Sequence, residues 1–596
     1  MVLFFTIVFF ICLLKTYLSI IQANLDLIDG RFALFMDEQV LYDGVKSILH
    51  PETIHTFWFS VFDANAHLYG RIYWNINAII GFLPDYLFGP TGLIFSGRIS
   101  SVVFLSLSCF FLSFSFLKNW FFRLLSFFVL INIPFSSYFM TMPKPDPLQM
   151  FFLSLFLFLL KKSSFSLTKK SWFFFGLAIG TKVSILPIAL PIFVFSIYQS
   201  SLSSGINKAL GSIPTMVGYL LLGLSVAVPI LIKPYIVSYA VYRFANRFFF
   251  KKQSKKAFNG LVMVFSFLFA NVIYTVLSKR LLGFKTGLYK WFTQTILNTG
   301  HGFDSADIGF FTWVTYFFTE YVSLFPFVNV FLFACAGLLV LLTGATNKDL
   351  DVNRNSTVLE SGVFLLSGLA LFLVVFSTAN RIWGFYLFPA FSLLVVNMIS
   401  ICEVVTLSQS NLGRQTAVVK STTKQVALVF LALLLSIVLS SWFPKNLSQY
   451  KKLANRTKTE DYRKNHRSSL QIKEKLIVLS KENNKKINVK NIGSPFVPDN
   501  GQYFSIIGLE RPFTEWWAKH EILLVKGVRE VLIKDLNINL LNYDGRVLEK
   551  REYDKWVEDS NEPCLAGACY KRIETFENGT ELLILVSSEK NDNYKE

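Results

Sequence analysis

The sequence predicts an α-helical membrane protein that crosses the bilayer about eleven times and continues into a water-soluble α/β domain. Three observations predict it: 53% of the residues are hydrophobic, the mean hydropathy is +0.46, and the long apolar runs stop after residue 443. This composition excludes a soluble enzyme. The net charge of +19 lies largely in short loops between apolar runs, where it sets orientation, so no nucleic-acid partner is expected.

Apolar runs recur up to residue 443, and all but the short one at residues 148–160 are close to the length that crosses a bilayer. They cover residues 2–20, 99–117, 120–140, 148–160, 172–198, 210–232, 258–277, one span within 310–342, 358–378, 383–401 and 426–443. The first run has neither a basic n-region nor a small-residue cleavage site, so we expect a retained helix. Residues 72–88 are interrupted by polar residues and a proline, so we expect a helix in the membrane interface.

The distribution of Lys and Arg sets the expected orientation. Lys118 and Arg123 occupy a tight turn between two spans, and the loop after residue 232 is the most basic of the molecule. Placing both in the cytoplasm puts the N-terminus inside and the C-terminal tail outside. The first long loop, about residues 22–97, and the short loop at 141–146 then share the extracytoplasmic face.

The apolar run at residues 172–198 contains Gly180, Pro187 and Pro191 around one cation, Lys182. Gly and Pro are tolerated in membrane helices but mark kinks or breaks, so we expect a break into two half-helices. A Lys inside a membrane helix indicates a functional site. Snorkelling to the interface, or pairing with a buried acid, is the structural alternative.

Residues 444–596 form the predicted extracytoplasmic domain, because Lys, Glu, Asn and Asp replace the apolar runs there. A helix is expected near residues 459–483. The expected strands are residues 521–526, 530–533 and 582–587. Cys564 and Cys569 are close in sequence, and a disulfide and two reduced thiols are both compatible with their spacing.

Asp37 and Glu38 are adjacent carboxylates close to the membrane, and Asp146 lies on the same predicted face. Charges in this position are costly unless they are hydrated, paired or used in chemistry. A carboxylate can accept the proton of an attacking hydroxyl or amine as a general base. The cations that can hold a phosphate on this face include Arg98, Lys182 and Arg381.

Ordinary structural roles are the alternatives for these residues. They are a solvated acidic loop at Asp37, a salt bridge from Glu38 to Arg31, a helix N-cap at Asp146, and interfacial anchors at Arg98 and Arg381. The carboxylates also offer oxygen ligands of the kind that Mg²⁺ or Mn²⁺ takes. No compact metal-ligand spacing is present, so no metal and no other cofactor are predicted.

Six segments, in this order along the chain, carry a family resemblance. They are M-D-E-Q at residues 36–39, H-L-Y-G-R-I-Y-W-N-I-N-A at 67–78, G-R-I-S-S at 97–101, K-P-D-P-L at 144–148, G-L-A-I-G-T-K at 176–182 and R-I-W-G-F-Y-L-F-P at 381–389. Together they resemble the GT-C superfamily of polyprenyl-phosphate-sugar-dependent glycosyltransferases, in particular the branch with protein O-mannosyltransferases and the lipid A aminoarabinose transferase. Leu68 and Tyr69 stand where that family usually has prolines.

The resemblance implies a GT-C-like transmembrane domain over residues 1–443. Its implied activity is inverting transfer of a sugar from a polyprenyl-phosphate donor to a lipid, glycan or protein acceptor. Asp37 would act as base or orient the acceptor, with Glu38 and Asp146 as further catalytic carboxylates. The other implied roles are donor-phosphate binding by Arg98, Lys182 and Arg381, and acceptor or sugar binding by His67, Tyr69 and Tyr386. We expect a bacterial inner-membrane location, with the active site outside the cytoplasm.

Two other classes of function stay open. Lys182 and its kinked helix would suit a transporter or flippase of a lipid-linked substrate, although no inverted internal repeat is visible in the sequence. In a structural membrane subunit that recruits other proteins, the acidic loops would be incidental. A transferase should lose sugar transfer when Asp37 is replaced by Asn. A transporter should move labelled lipid without any acceptor, and a structural subunit should tolerate the replacement.

Overall fold

The computed structural model describes most of the helical part of the chain and a sheet near its C-terminus. The described residues are 15, 21, 36–51, 54–62, 70–163, 165, 169–248, 256–282, 311–312, 314–315, 336, 352–378, 384–407, 414–455, 460–492, 497, 503–507, 522–526, 564–565 and 568–588.

The helices and strands follow one another in a long helical part and a short mixed part. The first helices are α1 Met36–Leu49, α2 Ile54–Phe62, α3 Ile72–Phe88, α4 Pro90–Phe116, α5 Trp120–Asn132, α6 Ser136–Thr141, α7 Pro145–Lys162, α8 Lys169–Thr181, α9 Ala189–Ser204 and α10 Ile206–Ala227. The later ones are α11 Ile232–Phe248, α12 Lys256–Leu282, α13 Val352–Thr378, α14 Phe388–Leu407, α15 Arg414–Ile437, α16 Phe443–Asn455 and α17 Glu460–Glu482. The strands are β1 Ile487–Ile492, β2 Phe504–Ile507, β3 Ile522–Lys526, β4 Cys564–Leu565, β5 Ala568–Thr575 and β6 Thr580–Ser588.

Five segments of the described helices are long and apolar enough to cross a membrane. They are Pro90–Phe116, Val183–Leu202, Ile206–Ala227, Phe388–Leu407 and Ser421–Gln449. Shorter apolar helices cover Trp120–Asn132, Phe258–Tyr274 and Gly362–Val375. The prediction of a helical integral membrane protein is therefore confirmed. The count of about eleven spans stays a prediction, because residues 2–20 and 310–342 lie almost entirely outside the described residues.

The predicted single helix at residues 120–140 is wrong, because two helices, α5 and α6, take its place. Pro134 lacks a backbone N–H and its ring would clash with the carbonyl four residues earlier, so helix α5 ends before it. Ile133 N–H donates instead to Leu130 O at 3.3 Å. Phe135 then takes a positive φ of 71°, which turns the chain into α6 and the loop before Asp146.

A buried polar cluster holds this break in place. The Lys15 ammonium donates to Asn132 Oδ1 and to Ser136 Oγ, both at 3.0 Å. From helix α16, Asn446 Nδ2 donates to Asn132 O at 2.8 Å, and Asn446 Oδ1 accepts from Ser137 Oγ at 2.7 Å. The cluster therefore ties Lys15 and helix α16 to α5 and α6.

The basic segment after residue 232, which was expected as a loop, forms helix α11. Tyr235, Tyr239 and Tyr242 lie three or four residues apart, and the centroids of neighbouring rings are 6.2 and 6.0 Å apart. This spacing puts the three rings on one face of the helix. The expectation was wrong because basic residues end the apolar run without interrupting the helical period.

Small residues let the first loop and helix α10 approach helix α8 closely. A Cβ on Gly176 of α8 would lie 2.1 Å from Leu220 O of α10. At the other end of α8, Gly70 N–H donates to Thr181 O at 3.3 Å. These contacts fix the point at which α8 ends and Lys182 begins the break.

Near the C-terminus, helix α17 and a six-stranded sheet share one apolar core. The strand order is β2-β1-β3-β6-β5-β4, with β1 parallel to β2 and β3, and β3 antiparallel to β6. Leu476, Val489 and Phe504 are buried in the shared core. The helix expected near 459–483 and the strands expected at 521–526 and 582–587 are confirmed. The strand at 530–533 lies outside the described residues, and a separate soluble α/β domain stays a prediction.

Cys564 and Cys569 are directly opposed in the register of β4 and β5. Opposed residues of an antiparallel pair have Cα atoms roughly 4.5–5.5 Å apart, which falls inside the range that a disulfide bridges. The side chains of both residues lie outside the described part of the chain, so a disulfide and two thiols both stay open.

Glu403 of helix α14 binds the start of helix α5. Its Oε1 and Oε2 accept from Lys118 N–H at 2.9 and 3.0 Å, and Oε1 also accepts from Asn119 N–H. The side chain is 5% exposed. These two N–H groups lie just before the first residue of α5, at the helix end that carries partial positive charge, so a carboxylate is stabilising there.

Replacing Glu403 by alanine is expected to lower the free energy of unfolding by about 1–2 kcal/mol, because two partly buried N–H groups lose their charged acceptor. Thermal unfolding of the purified protein, followed by tryptophan fluorescence, measures the change. Thr406→Ala is the matched control, since Thr406 Oγ1 donates to Cys402 O at 2.7 Å within its own helix. Equal Tm values for the two variants would contradict the capping role.

Candidate active site

One buried ion pair joins the start of α1 to α4. Arg98 Nε donates to Glu38 Oε1 at 2.8 Å, and Arg98 Nη2 donates to Glu38 Oε2 at 3.3 Å. Arg98 is 0% exposed and Glu38 is 2% exposed. Two parallel N–H···O bonds fix the carboxylate in position and orientation. The alternative role of Arg98 as an interfacial anchor is wrong, because its guanidinium is inside the protein.

The second pair joins the start of α7 to the break after α8. Lys182 Nζ donates to Asp146 Oδ1 at 2.6 Å, and both side chains are 8% exposed. Lys182 Nζ also lies 5.1 Å from the centroid of the Tyr386 ring, a cation–π contact. Of the roles considered for Lys182 as a structural residue, pairing with a buried acid is the one observed.

Local sequence explains this geometry. Pro145 occupies the first helical position of α7, where its missing N–H costs nothing, and it is followed by Asp146. A carboxylate in the first turn is favoured by the helix dipole. The N-cap alternative for Asp146 is wrong, because Lys144 is the N-cap residue. At the break, Lys182 is extended, with φ −158° and ψ 129°, and a 3-10 helix, Val183–Ile188, follows.

The two pairs lie at the same end of the helices. A Cβ on Gly97, the neighbour of Arg98, would be 3.8 Å from Pro143 Cβ, in the segment before Asp146. A small, partly open pocket lies between α1, α3, α4 and this segment. Its lining is Leu41, Tyr42, Val45, Asn77, Leu93, Ile94, Gly97 and Pro143. The start of α1 and the 141–146 loop, which the sequence places on one face, are thus close together in the structure.

Three polar residues of this region were missed by the sequence reasoning. Gln149 is 0% exposed one turn after Asp146. Arg71 is 3% exposed, with its guanidinium 5.6 Å from the centroid of the Trp74 ring. Lys15, described above, is the third. A polar residue inside an apolar run was the available signal for Gln149 and Lys15. Trp74 is 1% exposed, which places its ring inside the protein.

Several predicted site residues are described only in part or not at all. Asp37 is the second residue of α1, and its side chain lies outside the described residues. His67, Tyr69 and Arg381 also lie outside them. Within the described part of the chain, no three His, Cys, Asp or Glu side chains are grouped as metal ligands.

The arrangement combines a cation, a carboxylate and an aromatic ring at one point. Lys182 supplies positive charge for an anionic group, Asp146 fixes its ammonium, and Tyr386 offers a π face beside it. Polar groups in an apolar surrounding interact more strongly than in water, because the local dielectric constant is low. Such a point can hold an anionic head group.

These features define an integral membrane protein whose described helices carry two buried ion pairs at one end. The whole chain is similar to two crystal structures of ArnT from Cupriavidus metallidurans. The one bound to undecaprenyl phosphate has 12% identity and a TM-score of 0.41, over 98% of each chain. The apo structure has 11% identity and a TM-score of 0.39, over 97% of each chain. No protein-family profile and no curated protein matches. At these identities and TM-scores, the likeness assigns no activity and no residue role.

Proposed function

We propose that this protein is an integral-membrane glycosyltransferase, which moves a sugar from a polyprenyl-phosphate-linked donor to an acceptor on the extracytoplasmic side. The observation that carries the proposal is the buried pair of Lys182 and Asp146 at a helix break, beside the Tyr386 ring. The segments that hold all three residues are among those that resemble the GT-C superfamily. An ammonium in this position suits the phosphate of such a donor.

The energetics of the Lys182–Asp146 pair support a functional role, because stability alone does not require a charged pair. Desolvation of two charges offsets most of their attraction, and an apolar pair of similar volume is often as stable. A Lys within a membrane helix adds a further cost. The two charges therefore favour a functional site at this break.

In the proposed reaction, an acceptor hydroxyl or amine attacks the anomeric carbon from the face opposite the lipid phosphate. Its proton passes to the Asp37 carboxylate as the bond from the sugar to the phosphate oxygen breaks. The electron pair of that bond leaves with the polyprenyl phosphate, which needs little protonation to depart. Attack from the opposite face inverts the configuration of the sugar carbon.

We assign Arg98 a positioning role in place of direct donor contact. Its guanidinium is bound to Glu38 and is 0% exposed, and Glu38 is the neighbour of Asp37 on α1. The pair thereby sets where α1 begins relative to α4. Donor binding by Arg381, and acceptor or sugar binding by His67, Tyr69 and Tyr386, complete the proposed site.

The test is transfer by the purified full chain in proteoliposomes, supplied with radiolabelled polyprenyl-phosphate sugars and membrane extract. Label is expected to move from lipid to an acceptor, with polyprenyl phosphate released in equal amount. Lys182→Met is expected to lose donor binding and transfer together. Labelled lipid that crosses the bilayer without any acceptor would overturn the proposal in favour of a flippase. Absence of both activities, with donor still bound, would overturn it as well.

A further inference from the structure

The side chain of Gln149 is buried at the helix break, beside the ion pair of Asp146 and Lys182. It lies on α7 three residues after Asp146, so the two side chains point to the same side of the helix. Gln149 Nε2 donates to Lys182 O, and to Ala178 O at 3.3 Å. Its Oε1 accepts from Ser184 Oγ at 3.3 Å. One amide thus contacts the chain on both sides of the break.

The break deprives the Lys182 carbonyl of the helical N–H group that would bind it in a continuous helix. Lys182 N–H still donates to Ala178 O at 3.3 Å, but Lys182 itself is extended. Its carbonyl therefore points away from the ladder of helical hydrogen bonds. An unpaired carbonyl is unfavourable in an apolar interior, so broken membrane helices need a replacement donor. The Gln149 amide supplies it.

We propose that Gln149 is a positioning residue for Lys182. Asp146 binds the ammonium of Lys182, and Gln149, one turn further along the same helix, binds its carbonyl. Both ends of one residue are thereby fixed by α7, and the ammonium is aimed at the place where the donor phosphate binds. This inference rests on the proposed function, because it gives Lys182 the phosphate of a polyprenyl donor as its ligand.

The test is a double-mutant cycle on binding of undecaprenyl phosphate to the full chain in nanodiscs. Gln149→Met keeps the volume and removes the amide, and it is expected to raise the Kd by about tenfold, since residues in one hydrogen-bonded network are coupled. Lys182→Met is expected to raise the Kd at least as much. The double variant should bind like Lys182→Met alone, because Gln149 acts through Lys182.

Ser154→Ala is the matched control, because Ser154 is equally buried on α7 and its hydroxyl donates to Phe151 O, at 2.8 Å, in the same helix. Its Kd should equal that of the wild type. Thermal unfolding identifies variants that do not fold. If Gln149→Met does not fold, Gln149→Asn replaces it in the cycle. Asparagine keeps the amide, but its side chain is one methylene too short to reach Lys182 O.

The outcomes separate the two proposals. If Lys182→Met binds the lipid phosphate as tightly as the wild type, the proposed donor site is wrong, whatever Gln149 does. If Lys182→Met weakens binding and Gln149→Met does not, the positioning role is overturned. It is also overturned if Gln149→Met weakens binding equally with and without Lys182, since that is the pattern of a general packing defect.

Discussion

Asp37→Asn is expected to lower sugar transfer by a factor of about 10²–10⁴, the usual contribution of a general base. Asparagine keeps the size of the side chain but cannot take the acceptor proton at neutral pH. Donor binding should persist, because the proposed phosphate ligand is Lys182 at the helix break. The measurement pairs radiolabel transfer with binding of the labelled donor, on wild type and variant in the same preparation.

Asp85→Asn is the matched control for the loss of a carboxylate in the first loop region. Asp85 lies near the end of α3, where it contacts His50 Nε2 at 2.5 Å. Its variant should transfer sugar at close to the wild-type rate. If the Asp37→Asn variant transferred sugar as fast as the Asp85→Asn variant, Asp37 would have no part in the mechanism. If the Asp37→Asn variant no longer bound the labelled donor, Asp37 would belong to the donor-binding site.

Arg98→Met is expected to lower the free energy of unfolding by about 3–5 kcal/mol, because it leaves the Glu38 carboxylate buried without its guanidinium. The pair is among the most buried of the described charges, with 0% and 2% exposure. Removing both charges is different, since an apolar pair has no charge to desolvate. The double variant Glu38→Leu/Arg98→Met is therefore expected to regain most of the loss.

Thermal unfolding of the purified variants tests this ordering. Arg467→Met is the matched control, because Arg467 forms a surface pair with Glu577 at 2.9 Å, with 54% and 42% exposure. Such pairs contribute about 0–1 kcal/mol. A Tm for Arg98→Met equal to that of Arg467→Met would show that the buried pair does not hold α1 on α4. A double variant less stable than Arg98→Met would indicate that shape, more than charge, dominates there.

A large part of the helical architecture could be predicted from the sequence. Helix α7, the helix over residues 72–88, and the helix near 459–483 all follow from local periods of apolar residues. The break at Lys182 follows from Gly180 and Pro187. The break at Pro134 was missed, because a proline inside a membrane helix is compatible with either a kink or an end. Only its surroundings, with the Lys15 cluster, make it an end.

The sequence predicted which residues belong to the candidate site, but not which carboxylate pairs with which cation. Asp146 and Lys182 were both candidates, and a buried charge must have a partner. Which partner it has depends on contacts between positions 36 apart in sequence for this pair, and 60 apart for Glu38 and Arg98. Glu403 was missed, because the N–H groups that it binds are 285 and 284 positions away and are part of the backbone.

The sequence by itself determined that this protein is a helical membrane protein, where most of its apolar helices lie, and which charged residues are too costly to be incidental. These are sums of local transfer free energies and local backbone preferences, so each can be read within a window of about twenty residues. Only the tertiary structure decided that Arg98 binds Glu38, that Gln149 satisfies the carbonyl at the break, and that both ion pairs share one end. Those facts depend on which helices touch, and packing between distant segments is not a property of any window.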